Sequence, residues 1–540
     1  MSDAERAEKL KEEGNQLFSK KNYVSAAAKY SEALQIGGDN AVLYSNRAAC
    51  RLNLKNYLDA ESDAQKASGH LFLEATKIDP GFAKAYARIA TAQDALKMPY
   101  RSVESWKQAI EKLPQDNLTP SQLSQKTEYE GGLAAASKAL ESLKASGGDH
   151  VLVADQKGDF PWICALRVIP RLMEKEDYAS SAWALVSAYN QFTEGTRQIF
   201  AATTQGDLRA QSTTALTLLS NAILTDHRVF HLSDSSFVRK YNEQVIGELL
   251  FFRAWSEGGP DVIKQEALKR LQEEGWSTTR PALATTIRAW IMQGFFQGGL
   301  YQNVVGQIEF LGRAVEVIKW GMVQFADVDK EDRGVIFEQT FLRGVQSLHL
   351  EAQLKVMMNA DDKALETVLR EAEDVISGLD DSTIPSRESD PAFVSAFYYS
   401  PQGHAYSMKG MYYRIRGNRL RARKISSIVE AMNEAYELSS ECYLEAVNYY
   451  AKDDENHAVF LSAALEMMGY GKTSPRAQLA IIDRLRPAIS KMKTIWSQSS
   501  FAKQGGDILF QRGLDTEKKL RKGLKSGKFK LDEPVMLQPM

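Results

Sequence analysis

The sequence predicts an all-α protein, and three observations carry that expectation. Small residues recur in register along the N-terminal quarter, at Gly14, Ala26 and Ala33, at Ala48, Ala60 and Ala67, and at Ala90, Ser102 and Ala109. Downstream, apolar residues fall at helical steps of three and four, most clearly at Val304, Ile308, Leu311, Val315, Ile318 and Met322. No run of alternating apolar and polar residues announces a sheet. The expected architecture is an N-terminal superhelix of three helix-turn-helix repeats with a capping helix, followed by an irregular α-helical solenoid.

Each repeat follows from its small residues. Two antiparallel helices approach closely only where small side chains face one another, and larger ones such as Leu17, Tyr30, Tyr57, Tyr86 and Trp106 fill the space between. Pro114 ends the third pair. One irregularity interrupts the frame. Ala109 to Pro114 is 5 positions, whereas Ala67 to Pro80 is 13, an excess of 13 − 5 = 8 that residues 68–75 supply. This insert is expected to protrude from the second repeat and leave the third in frame. Ser2 and Glu5 form a capping-box pattern at the first helix. Thr119, Pro120 and Gln122 supply an N-cap, an N1 proline and an N3 glutamine, and Leu133, Ala136, Leu140 and Leu143 give the capping helix its apolar stripe.

Composition narrows the function classes. The chain has 540 residues, 44% of them hydrophobic, which is more than one ordinary domain. Net charge is −2, so no global field draws in nucleic acid or anionic membrane. Cys50, Cys164 and Cys442 form no CxxC pair, which fits a reduced, cytoplasmic setting. The N-terminus is polar and lacks the apolar core of a signal peptide. No uncharged apolar run approaches the roughly 18 residues a membrane helix needs. His227 and His231 stand four apart without a ligand cluster, and no metal or cofactor is expected.

The repeats carry a resemblance. KEEGNQLFSKKNYVSAAAKYSEAL, NAVLYSNRAACRLNLKNYLDAESDAQKA and DPGFAKAYARIATA together resemble the tetratricopeptide family over residues 3–145. In the clamp domains of heat-shock co-chaperones, five donors at fixed repeat positions line a concave groove. This sequence matches all five, with Lys11 and Asn15 in KEEGN, Asn46 in YSNRAA, and Lys84 and Arg88 in KAYAR. Lys11 and Asn15, and Lys84 and Arg88, are i, i+4 pairs, so each pair shares a helix face. Lysine, arginine and amide groups supply the donors that the two carboxylates of a C-terminal aspartate require. The resemblance implies a partner tail of EEVD-like sequence, as on a heat-shock chaperone.

The rest of the chain is less specific. Residues 146–160 read as a linker, 161–379 as a helical region, 380–391 as a dividing loop and 392–512 as a second helical region with a faint tetratricopeptide echo. There Ala463 stands where a clamp asparagine would be. Residues 513–540 read as a basic flexible tail. Gly471, Lys472 and Thr473 mimic the end of a P-loop, but Glu466 occupies the first glycine position. Arg414, Arg416, Arg419, Arg421 and Arg423 read as a solvated helix face. The expected function is a co-chaperone or adaptor that grips a chaperone tail and offers 161–512 to a client. Two other classes stand beside it: a scaffold for an unrelated peptide, and an enzyme with a helical catalytic domain in 161–512.

Overall fold

The computed structural model describes residues 2–38, 40–68, 83–114, 116–145, 158–202, 214–232, 234–256, 258–379, 381–423 and 428–537. Among them the secondary structure is helical, with one isolated bridge between Thr473 and Val535. The chain forms two compact units, each discontinuous in sequence. Met1–Val151 joins Leu249–Gly334, and Leu152–Glu248 joins Val335–Met540. The division expected at 380–391 therefore does not separate the units, and the region expected over 161–379 is shared between them. Long-range side-chain pairs dictate this partition, and no local signal announces them.

In the first unit, α1 (Asp3–Ser19), α2 (Tyr23–Gly37), α3 (Ala41–Asn53), α4 (Tyr57–Ser68), α5 (Ala83–Ala95) and α6 (Pro99–Glu111) make three antiparallel pairs, capped by α7 (Pro120–Ala145). The Ser2–Glu5 capping box forms in both directions. So does its counterpart at α7, where Thr119 and Gln122 exchange bonds. The turn inside each pair passes through a left-handed lysine, at Lys21, Lys55 and Lys97. The first two stand 55 − 21 = 34 apart and the next 97 − 55 = 42, so the third repeat resumes its frame after eight extra residues. Those residues, beyond Ser68, lie outside the described residues, as do 146–157 of the expected linker. Gly14 admits the Tyr30 ring, since a Cβ there would stand 2.6 Å from Tyr30 Cε1. Trp106 is sealed by α7 through Tyr129, Leu133 and Ala136.

Three later helices, Pro260–Glu274, Trp276–Gly299 and Val304–Gln324, belong to the same unit. They meet the repeats at the end of α3, the α3–α4 turn and the start of α4, and at the α5–α6 turn. Arg51 bridges buried Asp63 at 2.8 Å and Asp261 at 2.9 Å. Arg313 donates to Asn56 Oδ1 at 2.8 Å. Asn303 donates to the Leu96 carbonyl. Gly259 presses so closely on Asp59 that a Cβ there would lie 1.8 Å from Oδ1. This explains the glycine at a place that sequence alone marks only as a helix breaker.

The second unit is organised around a long helix pair. Ser400–Arg423 runs against Val429–Tyr449, and glycines of the first receive tyrosines of the second: Gly403 faces Tyr450, Gly410 faces Tyr443 and Gly417 faces Tyr436. Both sets recur every seven residues, so one stripe of each helix meets the other along their common length. Ser439 donates to the Gly410 carbonyl at 2.7 Å, inside the contact. The arginines of 414–423 join this packing in part: Arg414 bridges Glu466 at 3.3 Å, Arg419 pairs with Asp362, and Arg421 lies over the Tyr470 ring. Arg228 reaches Asp226 at 2.7 Å and Asp454 at 2.9 Å, with its guanidinium 3.8 Å from the Trp496 ring centroid. The flexible tail expected from Gly513 is not found up to residue 537. Asp507–Lys525 is one helix with Leu520 fully buried, and Arg476 holds Asp532 at 2.6 Å. The lysines face water while Phe510, Gly513, Leu520 and Gly523 turn inward, an amphipathic pattern that the basic composition conceals.

Candidate functional site

The groove is built from α1, α3 and α5, held by the second helix of each repeat. On α1, Asn15 Oδ1 accepts from Tyr30 Oη at 2.7 Å and from Asn46 Nδ2 of α3 at 3.3 Å. Its oxygen is thereby used within the fold, and its amide N–H groups remain for an acceptor. Lys11, one turn earlier, holds Glu8 at 2.6 Å, an exposed i, i+3 pair. Such pairs contribute roughly 0.2–1 kcal/mol, so an incoming carboxylate displaces Glu8 at small cost. On α5, Lys84 is exposed and pairs with no described residue. Arg88 donates to the Ser45 hydroxyl, next to Asn46.

Arg88 stands apart from the other arginines of the repeats. Arg47 and Arg51 converge on the fully buried Asp63, at 2.7 and 2.8 Å, and their charges are compensated inside the fold. Arg88 is half-buried among Tyr30, Cys50 and Tyr129, and no carboxylate among the described residues pairs with it. Burial lowers its guanidinium below the ordinary value. The neighbours supply no anion, because burial pushes the Tyr30 hydroxyl up to about 12 and the Cys50 thiol up to about 11. A cation withdrawn from water without a counterion is costly. The groove thus presents a positive charge that an external anion would complete.

Two contacts lead from Asn15 through Asn46 to Ser45 and Arg88, so the structure brings Asn15, Asn46 and Arg88 together. Lys11 and Lys84 stand one helical turn before Asn15 and Arg88 on their own helices. Sequence reading missed the support: Tyr30, which orients Asn15, and Ser45 and Tyr129 around Arg88. Tyr30 could have been found, since it lies in the repeat frame opposite Gly14. Tyr129, on the cap, carries no repeat signal. Away from the groove, His227 and His231 do not converge. His231 stacks on Trp162 with centroids 4.7 Å apart, and no group of three candidate metal ligands occurs among the described residues.

Comparisons with known proteins agree with this fold. Small glutamine-rich tetratricopeptide repeat-containing protein 2 of Saccharomyces cerevisiae is 35% identical over 138 residues, covering 26% of this chain and 36% of that protein. Mitochondrial import receptor subunit TOM34 of Rattus norvegicus is 51% identical over 65 residues, covering 12% of this chain and 21% of that protein. The first TPR of Spaghetti (RPAP3), solved bound to HSP90 peptide SRMEEVD, is 26% identical, covers 25% of this chain and 97% of that domain, and superposes with a TM-score of 0.20. No family model matches the chain. This chain spans little more than a third of the first relative and a fifth of the second. Residues 3–145 form a tetratricopeptide-repeat domain similar to theirs.

Proposed function

We propose that the groove binds the free C-terminus of an acidic, EEVD-like peptide, the tail of a heat-shock chaperone, through Lys11, Asn15, Asn46, Lys84 and Arg88. The chain is then a co-chaperone or adaptor of the cytoplasm rather than an enzyme, with 161–512 left to engage a client. The observation that supports this reading above the others is Arg88, half-buried with no carboxylate partner among the described residues, near Asn15, whose acceptor oxygen is already in use. An acceptor-only ligand with two carboxylates fits that donor set. No helix among the described residues is long and apolar enough to cross a membrane.

The test is calorimetry of the full chain with a free-acid EEVD-type peptide and its C-terminally amidated form. Amidation removes one of the two terminal carboxylates. Its charge-assisted bonds contribute on the order of 1.5–3 kcal/mol, so affinity should fall about 10- to 150-fold. Equal binding of the two peptides would refute the reading.

A further inference from the structure

The second unit encloses a cavity of about 260 Å³ that the groove does not use. It lies between Ala215–Asp226 with the turn after it, Gln339–Met357, Ser400–Arg423 and the first turns of Glu455–Tyr470. A π-turn, Ser395–Tyr399, precedes the third of these helices, and Ala396 from that turn lines the cavity beside Ser400. Single π-turns inside α-helices are found frequently at functional sites.

The walls are of two kinds. Leu224, Leu348, Leu354, Met408 and Phe460 form an apolar side. Facing them are His227, Glu351, His404 and Tyr450 with a rim of serines. His227 and Glu351 lie deep in the fold, yet keep 29% and 33% of their side-chain surface accessible, as groups around an internal space do. His227 Nε2 holds Glu351 Oε1 at 3.3 Å. Among the described residues Glu351 Oε2 has no hydrogen-bond partner, and neither has the hydroxyl of Tyr450, a residue only 7% exposed. Native folds rarely bury such atoms unsatisfied, and a polar cavity is occupied by something that bonds to them.

Charge decides what that occupant is. Arg228, the strongest cation at the cavity edge, is consumed by Asp226 and Asp454 through four bonds of 2.7–3.2 Å. His227 is the counterion of Glu351; burial opposes its protonation, but Glu351 raises it overall. For Glu351 burial works upward, and His227 nevertheless holds it down to about 2, so it stays ionised. Burial lowers His404, which bonds Ser347 and remains neutral at pH 7. Arg228 is thus met by Asp226, Asp454 and Glu455, and Glu351 by His227 through Oε1 and by Lys355 at longer range, so the acceptor left over is Glu351 Oε2.

We propose that this cavity is a binding site for a small organic ammonium ion, whose N–H groups bond Glu351 with help from Tyr450 and whose apolar body lies against Leu354, Met408 and Phe460. The probe is phenethylamine, with 2-phenylethanol as its uncharged counterpart, titrated into the full chain and followed by calorimetry and saturation-transfer NMR. Phenethylamine should bind saturably with a Kd on the order of 1 mM or tighter, given its size. The alcohol should bind about tenfold more weakly, because it forfeits the charge-assisted bond. Glu351→Gln should remove the preference for the amine. Ser400→Leu, which fills the cavity without touching Glu351, should remove binding altogether. Unfolding midpoints of both variants show whether each is folded, and if one is not, the other decides. Absence of saturable amine binding, equal affinity for amine and alcohol, or amine binding unchanged in a folded variant would each overturn the proposal and leave a cavity filled by water alone.

Discussion

Two residues of the repeats, both charged and both withdrawn from water, behave in opposite ways. Arg88 pairs with no carboxylate among the described residues, and its loss should be felt in binding. Arg88→Ala and Lys84→Ala should each weaken a free-acid EEVD-type peptide by about 10- to 150-fold in calorimetry. Undiminished binding by Arg88→Ala would detach the groove from its expected ligand. Asp59 instead sits beside cations and is still uncomfortable. Its Oδ1 has no hydrogen-bond partner among the described residues, and burial raises its pKa to about 6, with Arg51 and Arg313 offsetting only part of that. Between the unfolded value, about 3.9, and 6 the native state binds more protons than the unfolded chain, so stability falls as pH rises. Asp59→Asn removes that burden and should stabilise the chain by about 1–3 kcal/mol at pH 7.5, and the gain should shrink as pH falls through 6. Urea midpoints at pH 5 and 7.5 read both; a gain that grows toward acid pH contradicts the assignment.

Helices are where the sequence spoke most clearly, and where its silences have physical causes. The boxes at Ser2–Glu5 and Thr119–Gln122 were legible because a cap is a local bargain among neighbours in sequence. The three repeats were legible because the small residues recur with the helices, and the five proposed groove residues take their addresses from that frame. The insert at 68–75 was visible only as arithmetic. The glycines at 403, 410 and 417 and the tyrosines at 436, 443 and 450 were equally present in the sequence. Each set means little until two helices are known to pair, and their match emerges only when the chain doubles back. That contact makes a firm prediction. At Gly410 a Cβ would stand 2.9 Å from the Tyr443 ring, so Gly410→Val should force the helices apart and cost about 1–3 kcal/mol. Gly131, with open space around it, is the control: Gly131→Ala should stabilise its helix by up to about 1 kcal/mol. Equal urea midpoints for the two variants would mean that the glycines at 403, 410 and 417 are not a packing device.

At the scale of the whole molecule the repeats are not a free-standing module on a linker. Leu249–Gly334 returns to them after Leu152–Glu248 has gone to the other unit, and the side chains that make the return are ordinary in sequence: Arg51 with Asp261, Asn56 with Arg313, Gly259 with Asp59. None of the five proposed groove residues is among them. The closest approach, Gly259 on Asp59, gives a direct way to measure the attachment. Gly259 has extended backbone angles, φ −89 and ψ −174, which alanine adopts without strain. Any cost of Gly259→Ala therefore arises from the collision between its new Cβ and Asp59. Overpacking of this kind costs about 1–3 kcal/mol. Asp59→Ala removes the Cγ and both oxygens that the new methyl would meet, so in its background Gly259→Ala should cost almost nothing. The double-mutant cycle should return a coupling of at least about 1 kcal/mol between two residues two hundred positions apart. Urea unfolding of the wild type, both single variants and the double variant supplies the four numbers. Additive effects would mean that the helix beginning at Pro260 does not lie against α4, and that the repeats stand on their own after all.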